Sequence, residues 1–283
     1  MRNMKKITWA CAILALAPIS ASAAVYTFQP GDGNWKDDNN WRDENNQPGT
    51  PGPNDVAIIP AEKYCTTNGA DVEAKVIEIE ALNTPYRPGY LYLTEGSTLK
   101  LHGDALRDSL ADGVLLFVDK SGETNPGTLI IMNDLTVKGV GSINAGAFIG
   151  ATHIGVIKGD PNALTPPVMT VTRELSGLGV KIHGGFDLEV KLVNDGFVIA
   201  RGFSWDAHKI MTLKGETKSG SGTWGANDFG DMIVDVDVSG SADWVVGDPN
   251  VNPGTVVIRN AITSSGDVTL ANGAFSVTEN FCT

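Results

Sequence analysis

The sequence is poor in cysteine and in basic residues, and it has no long apolar run beyond its first twenty residues. Only 3 of its 283 residues are cysteine, so a small fold held together by several disulfides is excluded. Its 21 Lys and Arg face 33 Asp and Glu, for a net charge of −12 at pH 7. Phosphate backbones attract the opposite sign, so we expect no nucleic-acid partner. We also expect no transmembrane span after the first residues.

Helix-forming sequence is equally scarce, because only the short stretch 105–111 has a helical composition. Glycine, in contrast, is abundant, with 33 residues, and 14 prolines accompany it. Hydrophobic residues make up 42% of the chain, which is enough to bury a core. Many turns together with enough apolar residues are typical of many short strands. The composition therefore predicts an all-β protein.

The first 23 residues have the three parts of a secretory signal peptide. They begin with three basic residues, continue with an apolar run over 7–19, and end in Ala-Ser-Ala at 21–23. The apolar run has about thirteen residues, whereas a membrane-spanning helix needs about twenty. We therefore expect cleavage after Ala23 and an exported protein, extracellular or at the cell surface, with the periplasm as an alternative. An uncleaved anchor helix is the competing interpretation.

We expect the chain to divide into a signal peptide over 1–23, an N-terminal cap over 24–60 and a β-helix domain over 61–283. The cap segment is rich in Asn, Asp, Gly and Pro, and it contains Trp35 and Trp41 in similar Asn-Trp settings. Tryptophans among turn residues that precede an apolar strand most often cover the open end of a core. We therefore predict that both indole rings are buried.

Short apolar runs recur along the mature chain and indicate the fold. Between 188 and 258 they begin about 22 residues apart, and Gly, Asn or Asp bounds each of them. A period in the low twenties is typical of one coil of a solenoid. The sequence therefore predicts a parallel β-helix, or β-solenoid, with an N-terminal cap. A β-sandwich or jelly roll is the alternative, because its strands also recur between regular turn signals.

The N-terminal region also resembles a known group of proteins. Asn-Trp at 34–35, Pro-Asn-Asp and an apolar run at 53–58, and the Gly-bounded strands at 89–96 and 127–131 occur in this order. This order resembles the opening of secreted bacterial right-handed parallel β-helix proteins, including autotransporter passenger-like and G8-like modules. The resemblance covers about seventy residues. It implies a β-helix outside the cell, with adhesion, matrix or glycan roles.

An acidic cluster suggests one metal, Ca²⁺. Alternation over 233–238 places valines on one face of an expected strand and Asp235 and Asp237 on the other. Two adjacent carboxylates are a candidate Ca²⁺ site, although the Glu that closes a calcium loop is replaced by Val246. A solvated strand face and an acid/base pair are the alternatives. The full cluster comprises Asp228, Asp231, Asp235, Asp237 and Asp243.

Three tryptophans at a spacing of about twenty residues form a second candidate site, because successive coils would align them beside carboxylates. Aromatic rings stack on the faces of sugars, and carboxylates accept hydrogen bonds from hydroxyl groups. An aromatic ladder inside the core is the alternative. These candidate ligand-binding residues are Trp205, Trp224 and Trp244 with Asp206, Asp228 and Asp243.

Other motifs carry little chemistry, and we predict no catalytic residue. Gly-x-Gly-x-x-Gly at 220–225 fits a dinucleotide loop, but no helix is expected after it. The four histidines lack the spacings of zinc sites. Cleavage would leave Cys65 and Cys282, for which a disulfide, free thiols and a bridge to another chain are the alternatives.

The sequence thus favours an exported surface or extracellular-matrix protein with a binding or structural role, adhesin-like or glycan-binding. Its expected partner is a polysaccharide or a component of the cell surface or matrix. A polysaccharide lyase or glycoside hydrolase that uses the Asp cluster is the alternative, with Lys191, Arg201 and Lys214 as candidate basic residues. A third hypothesis is that the chain is part of a longer adhesin.

Overall fold

A computed structural model describes residues 23–83, 86–94, 96–103, 109–111, 113–118, 127–145, 155–173, 179–202, 209–247 and 252–277. Residues 1–22 of the signal peptide expected over 1–23, together with Trp205, Asp206 and Cys282, lie outside these ranges. In the ranges described, no helix is long and apolar enough to cross a bilayer. The one helix assigned there is a single 3-10 turn, Asp38–Asn40, and the rest of the regular structure is strand.

The strands are short and numerous. In chain order they are β1 (Val25–Phe28), β2 (Asp32–Asn34), β3 (Trp41–Arg42), β4 (Val56–Ile59), β5 (Tyr64–Thr66), β6 (Val72–Ala74), β7 (Val76–Ile79), β8 (Ala81–Asn83), β9 (Tyr86–Pro88), β10 (Tyr90–Thr94), β11 (Thr98–Leu101), β12 (Ser109–Ala111), β13 (Val114–Val118), β14 (Thr128–Ile131), β15 (Leu135–Lys138), β16 (Ser142–Ala145), β17 (Gly155–Gly159), β18 (Val168–Val171), β19 (Lys181–Gly184), β20 (Phe186–Leu188), β21 (Lys191–Asn194), β22 (Phe197–Arg201), β23 (Lys209–Leu213), β24 (Lys218–Gly220), β25 (Thr223–Asn227), β26 (Gly230–Val234), β27 (Val238–Gly240), β28 (Asp243–Val246), β29 (Gly254–Ile258), β30 (Ile262–Ser264), β31 (Val268–Leu270) and β32 (Gly273–Val277).

These strands form three long sheets that run along a common axis. Sheet A has the order β3-β1-β4-β7-β12-β15-β18-β21-β24-β27-β30, and sheet B has the order β2-β5-β10-β13-β16-β19-β22-β25-β28-β31. Sheet C has the order β6-β11-β14-β17-β20-β23-β26-β29-β32. From β4 onward, apart from β8 and β9, consecutive strands belong to the three sheets in turn, and the neighbours of each strand come from the preceding and the next coil.

The parallel β-helix predicted from the sequence is confirmed. Apart from the β1–β3 pair at one end of sheet A, the strand pairs of the three sheets are parallel, as in β10 with β13 and β26 with β29. A sandwich or jelly roll is built from antiparallel sheets, so that alternative is excluded. A separate antiparallel hairpin, β8 with β9, projects from one coil. Residues 109–111, part of the stretch with helical composition, form β12 because they pair with β7 and β15.

Side chains alternate between the core and the outer surface along each strand, because successive Cβ atoms point to opposite faces. In β10, Leu91 and Leu93 are buried while Tyr90 and Tyr92 face outward. The same pattern continues through most coils and produces one continuous core from Phe28 to Ile258. The outer face of each sheet therefore carries the residues that solvent and ligands can reach.

Trp35 and Trp41 are both buried at the N-terminal end of this core, as the sequence predicts. Their ring centroids are 4.9 Å apart at an interplanar angle of 63°, and Phe28 packs edge-on against Trp41. Trp41 Nε1 donates a hydrogen bond of 2.8 Å to the carbonyl of Trp35. Because Trp41 lies on β3, the first strand of sheet A, these rings close the core beside that edge.

Aspartates at the corners bond the backbone of the next coil. Asp195 Oδ1 accepts hydrogen bonds from the backbone N–H and the hydroxyl of Ser221. The same arrangement joins residues 24 to 34 positions apart at other corners. These pairs are Asp71 with Thr98, Asp134 with Val168, and Asp243 with Asp267. These aspartates therefore satisfy backbone donors near the points where strands begin or end.

Candidate ligand-binding face

Three tyrosines stack on the outer face of sheet B. The ring centroids of Tyr64 and Tyr90 are 5.1 Å apart and their planes are 6° from parallel. Tyr92 lies 5.8 Å from Tyr90 and 6.4 Å from Tyr64, at interplanar angles of 13° and 18°. Tyr64 is 41% exposed. We call these three residues the tyrosine cluster.

The local sequence explains how the tyrosine cluster forms. Tyr-Leu-Tyr-Leu over 90–93 alternates in β10, so Leu91 and Leu93 enter the core and both tyrosines point outward. Parallel pairing then places Tyr64 of β5 directly beside Tyr90. Aromatic residues on directly paired strands are close enough for their rings to pack.

Polar residues border the tyrosine cluster on the same face. Asp32 of β2 pairs with Tyr64, and Asn34 of β2 pairs with Thr66, which in turn pairs with Tyr92. Burial raises the pKa of Tyr92, with further contributions from the neighbouring tyrosines and from Asp32. The phenol of Tyr92 therefore stays protonated at neutral pH, where it can both donate and accept a hydrogen bond.

A groove of about 550 Å³ lies further along the outer face of sheet B. Its size falls within the usual range for small-ligand sites. Its polar and aromatic lining combines residues of β16, β19, β22 and β25 with one residue of the projecting hairpin. These residues are Ser142, Lys181, His183, Arg201, Asn227 and Tyr86. We call this feature the sheet B groove.

Two buried polar atoms in the sheet B groove lack hydrogen-bond partners among the residues that the structure describes. They are Nδ1 of His183 and Oδ1 of Asn227. Burial, assisted by the charges of Arg201 and Lys181, lowers the pKa of His183 to about 4. The imidazole is therefore neutral at neutral pH, with one ring nitrogen as donor and the other as acceptor.

The charge of the sheet B groove is opposite to that of the whole protein. Lys181 and Arg201 line it, and no Asp or Glu is among its described lining residues. Arg201 Nε lies 3.3 Å from Asp228 Oδ2, and the other oxygen of this carboxylate, Oδ1, accepts a hydrogen bond from Asn252 Nδ2. Lys181 is exposed, and in the described ranges it has no ion pair.

A larger groove of about 1110 Å³ lies beside the loop at 160–167 and is more open. Its described charged and ring side chains include several that already have partners within the protein. His102 Nε2 lies 3.0 Å from Glu73 Oε2, and Asp134 Oδ1 accepts the N–H of Val168. The sheet B groove is the better candidate site, because two of its buried polar atoms, His183 Nδ1 and Asn227 Oδ1, lack such partners among the described residues.

The second candidate site, which the sequence placed at three surface tryptophans, must be corrected. Trp224 is fully buried and Trp244 is 1% exposed, and their rings stack at 6.2 Å inside the core. Neither ring reaches the surface, so these two residues form the aromatic ladder inside the core that was the alternative. They cannot stack on the face of a sugar. The third member, Trp205, and the neighbouring Asp206 lie outside the described residues.

The two described acids of that predicted site, Asp228 and Asp243, make different contacts. Asp228 lies in the turn between β25 and β26, where it pairs with Arg201 at the edge of the sheet B groove. Asp243 is exposed at the start of β28, and its Oδ1 accepts the N–H of Asp267 at 3.1 Å. Asp228 therefore supports a groove residue, whereas Asp243 connects two coils.

The continuous strand expected over 233–238 at the candidate Ca²⁺ site is interrupted, although Val234, Val236 and Val238 are buried and Asp235 and Asp237 are not. β26 ends at Val234 and β27 begins at Val238, so Asp235 and Asp237 lie in a corner between two sheets. Asp235 Oδ1 is 3.5 Å from Arg259 Nη1, a cation that opposes metal binding there. Within the described ranges, no group of three or more His, Cys, Asp or Glu side chains is placed to hold a metal ion.

The structure also places the basic residues, the glycine motif and the cysteine that the sequence singled out. Of the three proposed basic residues, Arg201 lines the sheet B groove, Lys191 is exposed on sheet A, and Lys214 pairs with Asp187 and Glu189. The glycine motif at 220–225 begins at the last residue of β24 and ends inside β25, and no helix follows it, so it forms no dinucleotide loop. Cys65 is a buried free thiol, and burial raises its pKa well above the ordinary value.

The sequence pattern did not reveal the tyrosine cluster or the position of His183 in the sheet B groove. The alternating Tyr-Leu-Tyr-Leu of 90–93 indicates that Tyr90 and Tyr92 point outward. Nothing in the sequence indicates that β5 pairs with β10 and so brings Tyr64 beside them.

Comparison with known proteins finds no matching family model, no matching curated protein and no matching solved structure.

Proposed function

We propose that this protein is an exported surface or matrix protein that binds glycans, in an adhesin-like role, through the outer face of sheet B. The observation that carries the proposal is the stacked and solvent-accessible tyrosine cluster. Tyrosine presents an apolar ring to the face of a sugar and a hydroxyl to its polar edge. The signal-like segment at 1–23 supports export.

The shape of the fold favours a polymeric ligand. Sheet B is a 10-stranded parallel sheet, so its outer face presents similar positions at each coil, about 4.8 Å apart. A repeating polymer that lies along this face can therefore contact several coils at once. Asp32 and Thr66 beside the tyrosine cluster can accept hydrogen bonds from sugar hydroxyls.

The contacts of the acidic residues favour a protein that binds glycans over one that cleaves them. The lyase or hydrolase hypothesis needs carboxylates that face a common groove. Asp228 and Asp235 pair instead with Arg201 and Arg259, and Asp243 accepts a backbone N–H. We therefore propose no catalytic role for these acids.

Affinity electrophoresis of the purified chain through gels that contain neutral and acidic polysaccharides tests this proposal. We expect at least one polymer to retard the protein. The double substitution Tyr64→Ala and Tyr90→Ala should weaken that binding about tenfold or more, because aromatic anchors dominate such contacts. Ile210→Ala is the matched control, since Ile210 is 41% exposed, like Tyr64, but lies on sheet C.

Two outcomes would overturn the proposal. One is the absence of retardation by every polymer of a broad panel. The other is retardation that the tyrosine variant and the Ile210→Ala variant leave equally unchanged. Reducing ends and unsaturated products are followed in the same samples, and their release would show an enzyme.

A further inference from the structure

The sheet B groove lies on the same face as the tyrosine cluster. Residues that pair across successive strands form a row that passes from Tyr90 through Val114 and Ser142 to Lys181. At about 4.8 Å per strand, Ser142 lies about 10 Å from Tyr90 along the axis. One extended oligosaccharide can therefore contact both features, which gives the groove a defined place in the proposed function.

The charges of the groove select for an anion. Lys181 and Arg201 line it, no Asp or Glu is among its described lining residues, and Asp228 at its edge pairs with Arg201 alone of the two. The protein carries a net charge of −12, so most of its surface repels anions. Arg201 uses Nε to bond Asp228, and its two terminal nitrogens have no partner in the described part of the chain. The terminal N–H groups of a planar guanidinium match the geometry of a carboxylate.

The uncharged groups of the groove select for hydroxyl groups beside that anion. Asn227 Oδ1 is a buried acceptor without a hydrogen-bond partner among the described residues. His183 Nδ1 is a buried nitrogen that likewise has no partner among them. Buried polar atoms normally have hydrogen-bond partners, so an unpartnered pair in a groove points to a ligand that supplies them. Sugar hydroxyls supply both donors and acceptors.

We propose that the sheet B groove binds a uronic acid residue of an acidic glycan, with its carboxylate between Lys181 and Arg201 and its hydroxyls on His183 and Asn227. This proposal rests on the proposed function, because both place a glycan along sheet B. It goes further by assigning the chemical class of the glycan. Inorganic phosphate and sulfate satisfy the cations of the groove but offer too few donors for the buried acceptors.

The test measures binding to alginate, hyaluronan and polygalacturonate, each compared with its carboxyl-reduced form, and to dextran sulfate. We expect at least one uronate polymer to bind, and carboxyl reduction to weaken its binding about tenfold or more. Lys181→Gln should weaken binding about tenfold. Added salt should weaken the binding of the wild-type protein more than that of the variant.

Lys191→Gln provides a matched control. Lys181 and Lys191 are both exposed first residues of four-residue strands with the same burial pattern, but Lys191 lies on sheet A. We expect Lys191→Gln to change binding less than about twofold, because it removes the same charge far from the groove. Equal losses for the two variants would show a general charge effect and would overturn the proposal.

The other outcomes separate this proposal from the proposed function. If neutral glycans bind through the tyrosine cluster and no uronate polymer does, the proposed function stands and the uronate site is wrong. If dextran sulfate binds as strongly as every uronate polymer, the groove selects charge alone and the proposal is also wrong. If no polymer binds, both proposals fail.

Discussion

Trp224 and Trp244 occupy directly paired positions on β25 and β28, and their rings stack in the core with centroids 6.2 Å apart. Their planes differ by 22°. The parallel register makes this contact, because residues in equivalent positions of two coils lie one above the other. The pair therefore joins two coils through buried aromatic area.

Trp224→Ala should lower the free energy of unfolding by about 3–5 kcal/mol, since a cavity replaces a buried ring. Trp224→Phe should cost less, because the core keeps an aromatic side chain and loses an indole N–H that has no partner among the described residues. Denaturant unfolding followed by circular dichroism measures both. Neither change should alter glycan binding. A Trp224→Ala protein as stable as the wild type would contradict the core position.

Trp41→Phe separates packing from hydrogen bonding at the N-terminal end. The change keeps an aromatic ring but removes the Nε1 donor that bonds the Trp35 carbonyl. We expect a loss of about 1–3 kcal/mol, because the buried carbonyl is left without its donor. Trp41→Ala should cost about 3–5 kcal/mol. Equal losses for the two variants would show that the ring contributes nothing beyond its hydrogen bond.

The corner aspartates should stabilise the coil that follows them. Asp195→Ala removes the acceptor for the Ser221 N–H and hydroxyl, so we expect a loss of about 1–2 kcal/mol. Asp195→Asn keeps an acceptor oxygen and should retain most of the stability. Asp237→Ala is the control, because Asp237 is an exposed corner residue without such a bond. Thermal unfolding compares the three, and equal melting of both Ala variants would disprove the coil-to-coil role.

Stability should depend on pH through Lys218. Burial lowers its pKa to about 7, against the attraction of Glu216 and Glu189, and its Nζ donates to the Lys214 and Glu216 carbonyls. Between about pH 10.5 and 7 the unfolded chain binds a proton that the folded chain does not. The free energy of unfolding therefore falls as pH falls through this window.

Lys218→Met removes this titration. The difference in free energy of unfolding between the wild type and Lys218→Met should shift in favour of the wild type as pH rises from 7 to 10. Denaturant titrations of both proteins across this range measure it. Parallel curves would show that Lys218 keeps an ordinary pKa in the folded protein.

The candidate site shows how far the sequence could lead. Tyr90 and Tyr92 share a face by alternation alone, which is local geometry. Their contact with Tyr64 depends on which coil pairs with which, and coil lengths vary too much for a fixed period to give that register. The prediction that Trp224 and Trp244 lie on the surface was wrong for a related reason. Their spacing of one coil is the same whether the two rings stack inside the core or outside it.

The sequence by itself determined that the protein is built of many short strands, and the period in the low twenties favoured stacked coils over a sandwich. The parallel pairing of the strands then excluded the sandwich. The sequence also determined which residues alternate within each strand, as in β10. Only the tertiary structure decided where strands end and what lies beside them, which placed Asp235 and Asp237 in a corner and gathered Lys181, His183 and Arg201 into one groove. Those contacts join residues distant in the chain, and pairing between coils, not local preference, sets their positions.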